Sequence, residues 1–151
     1  MVVSISYDIF VSAFLSKISE YQFLKLDSED RTAEIDGYLK RAITAFKRNC
    51  EYDLFTTGDD NERSFKIEIA QDDLDELVDI ISEGMVVQWL KPYVYKQELL
   101  ENVLNTKDFT EYSPASLLLR VRETYNSAQA DYKNMIYDYS YTHGDLTDLH
   151  L

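Results

Sequence analysis

The chain has 151 residues, within the usual range of one domain, and a chain of this length buries on the order of 70% of its unfolded surface without a disulfide or metal. Its 28 acidic residues against 15 Lys and Arg give a net charge of −13, which repels phosphate and argues against binding nucleic acid by counterion release. Cys50 is the sole cysteine, so an internal bridge is excluded and a reducing compartment is expected.

The segment Met1 to Asp8 lacks the basic start of a secretory signal. The apolar run Ile9 to Leu15 is broken by Ser12 and falls far short of the ~20 residues that span a bilayer. The expectation is synthesis in the cytoplasm, without export or a membrane anchor.

Ser6 is a fair N-cap for a first helix with Ile9, Phe10, Ala13, Phe14 and Ile18 on one face. Asp27-Ser28-Glu29-Asp30 reads as the start of a second, because capping oxygens and acids suit the positive end of the helix dipole. Its apolar stripe is Ile35, Tyr38, Leu39, Ala42, Ile43, Phe46 and Cys50. The basic cluster Lys40, Arg41, Lys47 and Arg48 on that helix is read as a solvated face.

Thr56 to Glu62 is a polar loop. Phe65, Ile67 and Ile69 then alternate with Ser64, Lys66 and Glu68, the period of a strand. One strand leaves its own backbone groups unpaired. Its partner is expected either in a short segment such as Lys107 to Tyr112 or in a neighbouring chain, which would make Phe65, Ile67 and Ile69 an inter-subunit strand.

Gln71-Asp72-Asp73 opens a third helix with Leu74, Leu77, Val78, Ile81, Met85 and Trp89 buried, and Pro92 is expected to end it. Gly84 in mid-helix costs stability unless another element packs closely there. A short helix is expected over Gln97 to Leu104. Ser113 as N-cap and Pro114 as first helical residue start the last helix. Leu117, Leu118, Val121, Tyr125, Ala128, Tyr132, Met135 and Ile136 line it to about Tyr139.

The expected fold is therefore mainly α, a small bundle of four to five helices with one or two short strands. A helical domain over 1–139 precedes an extended docking tail over 140–151, which holds Leu146, Leu149 and Leu151 but no Lys or Arg. The chain has 12 tyrosines, and Tyr132, Tyr137, Tyr139 and Tyr141 crowd its C-terminal stretch. Tyrosine joins an apolar body to a polar tip, which suits a surface half buried against a partner.

Residues for chemistry are sparse. Both histidines, His143 and His150, are in the tail, where a preorganised shell is rare, and a lone cysteine gives no His/Cys metal set. Asp59-Asp60-Asn61-Glu62 lacks the central glycine of a calcium loop, since Gly58 precedes the acids. Asp72, Asp73, Asp75, Glu76 and Asp79 belong to the polar face of a helix start. No glycine-rich phosphate loop and no Gly-x-Ser-x-Gly elbow is present. Cys50, on an apolar stripe, is expected to be buried and inert. The expectation is no enzyme, no cofactor and no metal.

Ile80-Ile81-Ser82-Glu83-Gly84-Met85-Val86-Val87-Gln88-Trp89-Leu90-Lys91-Pro92 and Lys107-Asp108-Phe109-Thr110-Glu111-Tyr112-Ser113-Pro114-Ala115 lead into a tyrosine-rich helix closing with Tyr137-Asp138-Tyr139-Ser140-Tyr141. Over roughly residues 70 to 141 this order resembles the head–tail connector (adaptor, or head-completion) proteins of tailed bacteriophages. The resemblance implies a structural virion protein of the neck, without enzymatic activity, in a homo-oligomeric ring of about twelve copies. The ring would sit between the portal protein and a downstream neck or tail protein, with the C-terminal segment reaching into a neighbour. DNA would pass through its channel without sequence-specific binding, and no membrane would be involved. Tyr137, Tyr139, Tyr141, Leu146, Leu149 and Leu151 are then the docking candidates. The other reading from composition is a small acidic binding module, or a regulator mimicking nucleic acid.

Overall fold

The computed structural model describes residues 2–19, 32–95 and 114–143. Strand β1 (Val3–Ser6) runs directly into helix α1 (Tyr7–Ile18). Ser6 makes the junction: its backbone is extended, and its hydroxyl accepts a hydrogen bond from the Asp8 amide, as an N-cap does. Helix α2 (Thr32–Phe46) follows, then β2 (Gly58–Asp59), β3 (Ser64–Ile67), α3 (Gln71–Tyr95) and α4 (Pro114–His143). A mainly helical bundle with a small sheet is thus the architecture. The segments Asp27 to Asp30, Gln97 to Leu104 and Lys107 to Tyr112, expected as a helix start, a short helix and a strand, lie outside the described residues.

The strand over Ser64–Ile67 finds its partners within the chain, which corrects the expectation of a neighbouring chain. The sheet order is β1-β3-β2, both pairs antiparallel. Ile5 stands opposite Phe65 and Val3 opposite Ile67. The segment before α1 is the missing strand, and the polar loop 56–62 contains another, β2 (Gly58–Asp59). Phe65 and Ile67 turn into the core, where they serve packing. Ile69 lies past the strand and packs, half buried, at the core's edge.

Helix α3 is the axis of the molecule. It packs against α1, α2 and α4, and Leu77, Ile80, Ile81, Met85, Val86, Val87, Trp89 and Leu90 are buried around most of its circumference. A helix that is apolar on several sides is one enclosed by neighbours. Phe14 of α1 meets the Trp89 ring edge-on at 6.1 Å, and Phe10 meets Phe65 at 5.5 Å, so one aromatic layer joins helices to sheet. The helix continues through Pro92 to Tyr95, against the expectation that it ends there. Proline removes one backbone hydrogen bond, but Tyr93 and Val94 beyond it are buried, and their burial offsets the loss.

At Gly84 three helices meet. A Cβ built there would lie 2.8 Å from Cζ and 2.9 Å from Cε1 of Tyr132 on α4, and 3.1 Å from Cβ of Ala42 on α2. The close packing that a mid-helix glycine requires is therefore present. Tyr132 crosses the gap and donates its hydroxyl to the carbonyl oxygen of Ala42 at 3.2 Å.

The turn into β3 is fixed by Arg63, the one non-glycine residue with positive φ (50°) among those described. Its guanidinium grips Asp36 of α2 through Nε and Nη2, at 2.7 and 2.8 Å, and donates through Nη1 to Asp8 of α1 at 2.8 Å. Its carbonyl oxygen accepts from the Tyr7 amide at 2.8 Å. One side chain thus joins the hairpin to two helices.

Candidate functional site

Helix α4 carries the candidate docking residues, and its spacing sorts them. Val121, Tyr125, Ala128, Tyr132 and Tyr139 recur at three-, four- and seven-residue steps, and all are buried. Tyr137 and Tyr141, four apart, are 56% and 72% exposed. At 100° per residue they fall on the side of α4 opposite the buried stripe. Two phenol rings on neighbouring turns, facing away from the core, form an amphipathic patch of the kind enriched at interfaces.

Tyr139 is corrected from docking residue to anchor. It is 1% exposed, and its ring meets Phe46 edge-on at 5.1 Å. Its hydroxyl oxygen accepts a hydrogen bond from the Glu51 amide at 3.0 Å. Next to it, buried Ser140 donates to Asn49 at 3.2 Å. The helix also runs on to His143, so Ser140 to His143 form its last turn and not the start of an extended tail. These contacts clamp the end of α4 onto the turn after α2, and the clamp holds Tyr137 and Tyr141 outward on a rigid support. Leu146, Leu149 and Leu151 lie outside the described residues.

Burial pushes the Tyr139 phenol well above its ordinary value and raises that of Tyr132 to about 12. Both are therefore neutral packing groups at neutral pH. Cys50 is half buried just past α2, and desolvation raises its thiol pKa, which disfavours the reactive thiolate.

The acidic candidates are engaged locally. Asp59 accepts from the Asn61 and Glu62 amides at 2.9 and 3.3 Å. Asp60 accepts from the Tyr7 hydroxyl at 2.9 Å and from Lys40 at 2.5 Å, and the Lys40 contact, followed by Tyr7, holds its carboxyl below the usual range. Asp79 joins Glu83 in holding Lys17 of α1, at 2.9 and 3.1 Å. Asp73 accepts from the Tyr52 hydroxyl. Among the described residues no three His, Cys, Asp or Glu side chains converge on a metal-sized site, and no described helix is long and apolar enough to cross a membrane.

The hydrophobic pattern was enough to find the stripe of α4, but it did not separate Tyr139 from its neighbours. The available signal was position: Tyr132 and Tyr139 are seven apart, in step with Tyr125, whereas Tyr137 and Tyr141 are out of step. Set against known protein families, curated proteins and solved structures, the chain matches none of them.

Proposed function

We propose that the protein is a structural component of a tailed-bacteriophage neck: a ring-forming head–tail connector between the portal protein and the next neck or tail protein. The observation that carries the reading is the pair Tyr137 and Tyr141, exposed on the outer face of a helix end that Tyr139 and Ser140 clamp to the body. A rigid aromatic pair loses little side-chain entropy when a partner covers it.

Two further features support it. The net charge of −13 suits a wall past which DNA slides without adhering. Exposed apolar side chains also occur far from the tyrosine pair in sequence, at Val2, Val3 and Ile9. A ring closed by heterologous contacts needs two different patches on each subunit. In this reading the residues after His143, with Leu146, Leu149 and Leu151, extend the same contact into the portal or an adjacent ring, and the assembled protein resides in the virion.

The test is the double variant Tyr137→Ser/Tyr141→Ser, assayed for binding to a portal protein encoded alongside it. Loss of two aromatic anchors, at ~1–2 kcal/mol each, corresponds to a fall in affinity of about 30-fold or more. Both side chains are exposed, so unfolding free energy should change by less than about 0.5 kcal/mol. Unchanged portal binding would remove the tyrosine pair from the contact.

A further inference from the structure

Helix α4 sorts its exposed charges by side. At about 100° per residue, Arg122 and Lys133 fall about 40–60° to one side of Tyr137. Glu123, Asp131 and Asp138 fall about 40–120° to the other. All of these side chains are exposed, and among the described residues none of them takes part in an ion pair. Arg120 shares the acidic side but already makes a contact within the chain. Between the two flanks runs an uncharged crest with Leu119, Asn126 and Tyr137, all exposed. The outer face of α4 is therefore basic along one edge and acidic along the other.

Height along the helix matters as much as side. Successive residues rise about 1.5 Å. In two copies set side by side with α4 parallel, Lys133 of one stands within about 3 Å in height of Asp131 of the next, and Arg122 within about 1.5 Å of Glu123. Such neighbours oppose unlike flanks, basic to acidic. An antiparallel twofold pair opposes each flank to its own copy, so Arg122 and Lys133 would face cations. Flanking charges of this kind set the orientation of paired helices. The pattern thus favours the heterologous contact that closes a ring over an isologous dimer. The net charge of −13 sharpens the choice, because copies repel one another except where cations are set against acids.

We propose that neighbouring copies meet through α4, parallel and side by side, with Arg122 and Lys133 of one copy against Glu123, Asp131 and Asp138 of the next. This rests on the ring reading and names the contact between its subunits. The crest stays uncovered, which leaves Tyr137 open to the portal. Exposed ion pairs contribute little apiece, so the flanks set the order and direction of the copies while the portal gathers them.

The experiment uses two charge-reversed forms of the full chain, each assembled on the portal protein encoded alongside it. One carries Arg122→Glu/Lys133→Glu, which makes both flanks acidic. The other carries Glu123→Lys/Asp131→Lys/Asp138→Lys, which makes both basic. Neither alone should form the ring that the unaltered chain forms, and an equal mixture should form it again by alternation. Rings from either form alone would overturn the α4 contact and leave the ring reading standing. Carbodiimide coupling of unaltered rings, built from isotope-labelled and unlabelled copies, should join Lys133 of one copy to Asp131 or Asp138 of another. Absence of that link would overturn the proposal even where the reversed forms fail to fold. An unaltered chain that forms no ring on the portal would remove the ring reading, and this contact with it.

Discussion

Two opposing effects meet at Gly84. Alanine in place of a mid-helix glycine gains up to ~1 kcal/mol of helix propensity, but here the new methyl would press on ring carbons at 2.8 and 2.9 Å. The Tyr132 ring cannot retreat freely, because it is buried and bonded to Ala42. Overpacking of this kind costs ~1–3 kcal/mol, so overpacking wins. Gly84→Ala is expected to lower the unfolding free energy in urea by about 1–2 kcal/mol. Tyr132→Leu in the same chain should restore part of it, with a coupling above about 0.5 kcal/mol; strictly additive effects would show that the two residues do not meet. The same tyrosine sets a pH limit. Its folded pKa, raised to about 12 by burial, exceeds the unfolded value near ~10. The stability it contributes is therefore whole below pH ~10 and lost as pH rises through about 12. Absorbance at 295 nm should show a late-titrating tyrosine fraction whose ionisation coincides with unfolding. Full titration near pH ~10 with the fold intact would contradict the burial.

At the scale of elements, Arg63 ties the hairpin to α1 and α2 from a left-handed backbone position. Arg63→Lys keeps the charge but not the fork that holds both oxygens of Asp36. It should cost about 1–2 kcal/mol of unfolding free energy; a change below about 0.3 kcal/mol would mean the bidentate geometry is idle. The helices themselves were legible in the sequence, because α1, α2 and α4 each carry an apolar stripe at helical spacing and Ser6 and Pro114 mark two of the starts. Strand β1 was not, since four residues ahead of a cap carry no alternation long enough to read. The reach of α3 past Pro92 was also hidden, because the burial of Tyr93 and Val94 is a tertiary gain that local rules omit. For the candidate site, aromatic crowding near the C-terminus pointed to α4, which carries the exposed Tyr137 and Tyr141. Which tyrosines face outward was legible in the seven-residue step from Tyr125 through Tyr132 to Tyr139, whereas the partners that bury Tyr139, Phe46 and the Glu51 amide, are long-range contacts.

Across the whole molecule, the proposed role in an assembly rests on the net charge of −13 and on the outward pair Tyr137 and Tyr141. The most direct test is the mass of the purified chain over a range of concentrations, alone and with a portal protein encoded beside it. The account predicts one copy alone and a closed, many-copy ring on the portal. A chain that stays monomeric or dimeric whether or not the portal is present would contradict it, and would favour the small acidic binding module.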